Sequence, residues 1–493
     1  MKIVKTKNSL GGDALVLTIS KVIVSLIGLL TSMLLARFRT LNEYGTYSQV
    51  IMVTDLASTI FLLGLPNSIN YFLSKAETKE KQQRFMSLYV TTVTAISVLI
   101  GICLNLSLPL IIKYFENPYI KVFAYVFALT PWSSLMMNSL SNTCVIFGKT
   151  NRLLVFNIVN ACTTLLVLLF AKFFALSFQV YMITNTAVQL GFAVFSFSWI
   201  YKIIGKIYFC FNLSDIKPIF KYSIPIGLAS VIGTINVELD KLVIGHFFST
   251  QEYALFAVAA KELPLTMLST SLTAVLMPAL VRLLHNGKKA EAIQKWGCSI
   301  VISFSAMALF VGGLVVFAPD VMALFYSQKY ITNDSIMVFR IYSFLLLLRC
   351  TYWGIVLNSS GKTLYILLSS LITLVLNIIG NYVGYYTIGF VGPAISTVIV
   401  TTVMAVAQFA YTGKVLEINI WKQMPWKTFG KIVLTEALLG AMFWLIKYRM
   451  LGQTIGSSGS IITSVGLGVI WTMLFFLLSY KMLIKYWNVM NEK

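Results

Sequence analysis

The sequence predicts an all-α polytopic membrane protein: about fourteen transmembrane helices, in two pseudo-symmetric six-helix lobes followed by two C-terminal helices. Composition is the first observation behind this. The 493 residues are 58% hydrophobic and 11% charged, with mean hydropathy +0.83, whereas soluble domains hold roughly 45–50% apolar and about 25% charged residues. Segment length is the second, because fourteen apolar runs reach the roughly 20 residues that a bilayer-spanning helix needs. Periodicity is the third. The runs lack the alternation of barrel strands, and helices are then the structure that satisfies the backbone in lipid.

Taken in order, the spans are 14–36, 46–73, 86–112, 120–147, 153–174, 178–204, 220–247, 253–284, 296–318, 334–358, 363–386, 388–413, 429–447 and 459–484. The first run is too long for a signal-peptide core and ends in Arg37-Phe38-Arg39 without a small-residue cleavage site, so it reads as an uncleaved helix. The connections are short, and no loop is long enough for a soluble catalytic domain. Prolines at 66, 131, 225, 264, 278 and 393 fall within spans or at their edges, where they kink helices. Most of the Lys and Arg that lie between spans fall in the N-terminal segment and the alternate loops after it, and few in the opposite loops. By the positive-inside rule both termini are cytoplasmic. The net charge of +21 is thus a topological signal, and no nucleic-acid partner is expected.

A repeat organises the spans. Residues 40–47 (Thr-Leu-Asn-Glu-Tyr-Gly-Thr-Tyr) follow span 1, and residues 249–256 (Ser-Thr-Gln-Glu-Tyr-Ala-Leu-Phe) follow span 7, offset by 209. Pro66 matches Pro278 at an offset of 212, and Gly148-Lys149-Thr150 matches Gly361-Lys362-Thr363 at 213. Three landmarks in one order imply two homologous halves, residues 1–211 and 212–415, with 416–493 carrying spans 13 and 14. Six spans per half is an even number, so the halves are parallel repeats, the arrangement in which one lobe rocks against the other around a central site.

Enzymatic chemistry finds no support. The two Gly-Lys-Thr copies lack the earlier glycine of a phosphate-binding loop, since Thr143 and Val356 occupy that position. With His246 and His285 the only histidines, no HExxH or His-carboxylate metal centre forms. Six cysteines without CxxC spacing read as free thiols. Neither cofactor nor metal is expected, and the protein reads as no enzyme.

What remains is intramembrane charge, which costs roughly 3 kcal/mol per residue on insertion scales and so faces protein or water. It is densest in residues 236–262, which hold Glu238, Asp240, Lys241, Lys261 and Glu262. Glu238 and Lys241 are one helical turn apart and can bridge each other, and Lys261 can pair with Asp240 across the turn. Lys21, Lys241, Lys261 and Arg349 are the candidate cationic lining for an anionic ligand, with Asp55, Glu238, Asp240 and Glu262 as coupling-ion or charge-pair candidates. Arg340 and Arg349 fall on opposite faces of span 10, so one cavity takes both only if that helix bends.

The junction Glu-Leu-Asp-Lys-Leu-Val-Ile-Gly (238–245) followed by Gln-Glu-Tyr-Ala-Leu-Phe-Ala-Val-Ala (251–259) resembles that between helices 7 and 8 of bacterial polysaccharide flippases. Residues 376–397, with Asn377 and Asn381 four apart and then Gly389, Gly392 and Ala394, resemble the helix 11–12 signature of the same family. Pro393 stands where the family has a small residue and Thr387 where it has a proline. The resemblance extends over the whole chain, to the Wzx-type translocases of the multidrug/oligosaccharidyl-lipid/polysaccharide exporter superfamily. It implies movement of an undecaprenyl-diphosphate-linked oligosaccharide, an O-antigen, capsule or exopolysaccharide unit, from the cytoplasmic to the outer leaflet of the bacterial plasma (inner) membrane. It also implies a monomer among membrane lipids, with the polymerase and glycosyltransferases of one pathway as partners. Lipid II-type flipping and drug or cation export are the alternatives within the superfamily.

Overall fold

A computed structural model of the chain describes residues 10–261, 265–451 and 456–491. Helices occupy nearly all of it. In chain order they are α1 (Leu10–Phe38), α2 (Leu41–Leu62), α3 (Leu65–Ser68), α4 (Lys79–Leu106), α5 (Leu108–Phe115), α6 (Ala124–Ile146), α7 (Thr150–Phe173), α8 (Phe178–Ile204), α9 (Leu213–Phe247) and α10 (Thr250–Ala259). There follow α11 (Thr266–His285), α12 (Lys289–Val316), α13 (Ala318–Phe325), α14 (Asn333–Leu348), α15 (Ile355–Ser359), α16 (Thr363–Ile388), α17 (Gly392–Leu416), α18 (Ile420–Gln423), α19 (Trp426–Leu445) and α20 (Ser458–Asn491).

Among the described residues, 11 helices are long and apolar enough to cross a membrane, and 12 if the bent pair Leu41–Leu62 and Leu65–Leu73 forms one span. One of the eleven, Thr363–Leu416, contains both α16 and α17. The helix at span 10 falls outside that count because α14 has only 16 residues. The architecture is therefore compatible with fourteen spans. It also corrects continuous runs read from sequence: span 2 breaks after α2, span 3 between α4 and α5, span 8 after α10, and span 10 after α14.

The repeated motifs turn out to be helix punctuation. Thr40 caps α2 by accepting from the Glu43 backbone N–H (3.2 Å), while the Glu43 carboxylate accepts from the Thr40 N–H (2.9 Å). Ser249 and Glu252 repeat this reciprocal box at α10, at 3.3 and 2.9 Å. Such boxes satisfy two of the orphan donors of a helix start. The tyrosine that follows each, Tyr44 or Tyr253, is buried. Gly45 presses against the Thr250 backbone, so the two starts meet, and a side chain at 45 would separate them. Both Gly-Lys-Thr copies end one helix and start the next. Gly148 (φ 63°) and Gly361 (φ 71°) take the left-handed conformation, and Lys149 and Lys362 precede α7 and α16. A left-handed residue after a helix closes its last carbonyls, which explains the glycine without any phosphate.

The chain divides into two compact units, residues 1–238 with 245–254, and residues 239–244 with 255–493. In the first, α4, α6 and α8 surround a core of Met86, Tyr89, Leu135, Met136, Leu140 and Ile200. α2 stops at Leu63 (φ 42°) and Gly64 (φ 76°), and the chain bends by 51°. Gly227 of α9 lies directly against the Leu63 carbonyl. Tyr71 stacks on Tyr222 at 4.6 Å, and Arg84 pairs with Asp215 at 2.5 Å, so the start of α9 is held along its length.

In the second unit, α16 and α17 meet at Gly384 and Gly392, whose backbones touch where side chains would otherwise stand. Pro393 falls in the first turn of α17, where its missing N–H leaves no hydrogen bond unmade. The helices α12, α19 and α20 enclose a second apolar core around Leu309, Phe317, Leu439, Phe443, Trp471 and Phe475.

Candidate functional site

The charged residues singled out by sequence fall into two groups. In the first unit, Lys21 is exposed on α1, Asp55 is exposed on α2 and Glu238 is half-buried on α9. Asp55 and Glu238 come close enough for each carboxylate to act electrostatically on the other.

In the second unit, Asp240 is 2% exposed, and its Oδ1 accepts from the Lys241 backbone N–H at 2.7 Å. The half-buried side chains of Lys241 and Lys261 sense one another's charge. Lys261 follows the C-terminal end of α10, its N–H donating to the Val258 carbonyl at 3.3 Å. Arg349 caps α14, half-buried, where span 10 breaks. Both cations thus stand at helix C-termini, where the helix dipole and unpaired carbonyls favour positive charge. Glu262 lies outside the described residues.

Sequence reasoning missed three polar features. The first is a buried ion pair between Asp320 of α13 and Lys447, in the π-turn Ile446–Met450 that follows α19. Their side chains are 1% exposed and 2.8 Å apart. Lys447 Nζ also donates to the Ser460 carbonyl and Oγ, both at 2.7 Å. Asp320 accepts from the Gly456 N–H (2.9 Å), Ser460 Oγ (2.8 Å) and Ser464 Oγ (2.7 Å). Burial pushes the Asp320 carboxyl up, but Lys447 and these donors outweigh it and hold it below the usual carboxylate range.

The second is a set of polar atoms turned inward between α16 and α17. The amide of Asn381 and the hydroxyls of Ser396 and Thr397 are buried without a hydrogen-bond partner in the protein. Asn381 belongs to the signature noted in the sequence, the one signal that pointed there. The third is Glu436, a buried carboxyl in mid-α19.

Among the described residues no group of three or more His, Cys, Asp or Glu is placed to hold a metal. No disulfide joins the six cysteines, of which Cys144, Cys298 and Cys350 are buried and Cys103, Cys162 and Cys210 partly exposed.

Apolar helices of this length and number define a multi-pass integral membrane protein with an all-α fold. That fold is similar to the lipid II flippase MurJ in its inward closed conformation, with a TM-score of 0.72 and 16% identity, covering 95% of this chain and 100% of that one. It is also similar to an inward-facing MATE family transporter of the MOP superfamily, with a TM-score of 0.64 and 16% identity, covering 81% and 96%. At such identity the likeness is one of fold alone.

The polysaccharide biosynthesis protein family matches residues 10–284, more than half of the chain, and the chain belongs to that family. It is 23% identical over 169 residues to the capsular polysaccharide biosynthesis protein CapF of Staphylococcus aureus, covering 32% of this chain and 40% of that protein. It is 20% identical over 231 residues to the probable low-salt glycan biosynthesis flippase Agl15 of Haloferax volcanii, covering 46% and 49%. The chain thus spans less than half the length of either relative.

Proposed function

We propose that this protein flips a polyprenyl-diphosphate-linked oligosaccharide, an O-antigen, capsule or exopolysaccharide unit, from the cytoplasmic to the outer leaflet by alternating access. It acts as a transporter without catalysis, in the bacterial inner membrane, with both termini cytoplasmic. The observation that carries this reading is the half-buried lysine pair Lys241 and Lys261, in a chain of the polysaccharide biosynthesis family. A diphosphate is the anion such a pair suits, and Lys21 and Arg349 complete the proposed lining. The repeat supports two lobes, 1–211 and 212–415, rocking about that lining, with 416–493 appended.

Moving two negative charges outward across an inside-negative potential releases roughly 4.6 kcal/mol per 100 mV, so the potential alone can drive the step. Asp55 and Glu238 are the proposed carboxylates for any proton or sodium coupling. The MurJ-like fold favours lipid II or another lipid-linked glycan as the second reading.

Loss of the gene tests the proposal: cells should accumulate polyprenyl-linked oligosaccharide facing the cytoplasm. An unchanged leaflet distribution of that lipid refutes it. Lys21→Ala and Lys261→Ala test the lining, which is wrong if both variants flip normally at wild-type abundance.

A further inference from the structure

One buried titratable group has no place in the flipping scheme. Glu436 stands in the middle of α19, about 15 Å from either end. It is 9% exposed, inside the apolar core of Phe317, Leu439, Phe443 and Trp471. Its Oε2 accepts from Trp471 Nε1 at 3.2 Å and lies over Gly312 of α12, whose missing side chain makes the room. Its Oε1 has no hydrogen-bond partner in the protein.

The charged and titratable groups on the surrounding elements lie elsewhere. On α19 itself, Lys431 and Lys427 are five and nine residues away, which turns them about 140° and 180° to the opposite face. On α12, Lys289, Glu291, Lys295 and Cys298 sit in the first turns, more than two helical turns from Gly312. On α20, Tyr480, Lys481, Lys485 and Tyr486 follow Trp471 by nine residues or more. In the π-turn, Lys447 is taken by Asp320, while Tyr448 donates to the Val316 carbonyl at 3.1 Å and Arg449 lies beyond it.

The same group of helices shows how this chain accommodates a buried carboxylate that keeps its charge. Asp320 receives a lysine, two serine hydroxyls and a backbone N–H. Glu436 receives a single indole N–H. An unpaired carboxylate in such surroundings sheds its charge by binding a proton.

We infer that Glu436 is a proton-binding site, carrying its proton while α19 and α20 are seated on α12, and that loss of the proton unseats them. The neutral form keeps the indole donor and leaves only one O–H without a protein acceptor, a smaller penalty than an ionised form standing in an apolar core without a counter-ion.

The test compares wild type with Glu436→Gln and Trp471→Phe in purified full-length protein, by infrared spectroscopy and thermal melting. A protonated carboxyl C=O band should be present at neutral pH, absent in Glu436→Gln and displaced in Trp471→Phe, which removes its one donor. Glu436→Gln, a neutral isostere, should melt as wild type does near pH 4.3, about the unfolded glutamate value, and lose less as pH rises above it. Wild type falls with rising pH because its native state keeps a proton that the unfolded chain has shed. A carboxylate band at neutral pH that disappears in Glu436→Gln overturns the inference. So does a Glu436→Gln protein that fails to fold or melts far below wild type at every pH.

Discussion

The Asp320–Lys447 pair gives the sharpest quantitative test of how the last two helices are held. Asp320→Asn keeps an acceptor for Gly456 and Ser460 but leaves the Lys447 ammonium buried against two neutral oxygens. Lys447→Met leaves the carboxylate with three neutral donors, so its cost should be the smaller of the two. Stranding one partner of a buried pair costs about 3–5 kcal/mol, while replacing both is far cheaper. On the scale of domains of roughly 150–250 residues, about 3 kcal/mol lowers the melting temperature by roughly 6–12 °C. The double variant should therefore melt above Asp320→Asn, with a coupling of about 2 kcal/mol or more. The assay can use the protein's own thiols, because Cys298 and Cys350 are buried in this unit and react with a thiol dye only as it opens. Equal melting of both single variants and wild type would refute the reasoning, as would strictly additive losses in the double variant.

The same cluster sets an acid limit. The Asp320 carboxyl is held below its usual range, so its contribution is full at neutral pH and is lost as pH falls below about 3.9, the unfolded value, in a melting series. Gly384→Leu or Gly392→Leu would drive a side chain into the facing backbone and should abolish accumulation of folded protein, read by detergent size-exclusion. Glu252→Ala opens the capping box of α10 and should cost about 1 kcal/mol in a melt, with Glu43→Ala matching it at α2. Asp55→Asn and Glu238→Gln should each alter the dependence of flipping on an imposed proton or sodium gradient in vesicles; an unchanged dependence in both removes them as coupling groups.

The spans were legible in the sequence because they depend on local composition, and the repeat because capping boxes and left-handed glycines are local chemistry too. Thr40–Glu43 and Ser249–Glu252 announced themselves as matched strings before their hydrogen bonds were seen. The breaks were less legible. Lys261 and Arg349 stand where α10 and α14 end within apolar runs that hydropathy reads as continuous, and those ends become visible only in three dimensions. The Asp320–Lys447 pair was hidden for another reason. Each residue sits at the end of a separate apolar run, where a charge needs no partner to explain it. Glu436 was the one acid inside span 13, yet its isolation depends on which faces α12 and α20 present, and one sequence does not reveal that.

The interruption of α2 has a mechanical meaning. A continuous helix resists bending along its whole length, because curvature stretches many backbone hydrogen bonds at once. With Leu63 and Gly64 already outside the helical ladder, the stiffness of this span is concentrated in two rigid rods, and its compliance in two residues. Changing the angle there requires torsion about those residues without breaking the ladder on either side. The range of that torsion is set by Gly227, since its lack of a side chain lets α9 sit against the Leu63 carbonyl. A methyl group on α9 at that position would act as a wedge in the joint, holding the angle open while leaving both rods intact.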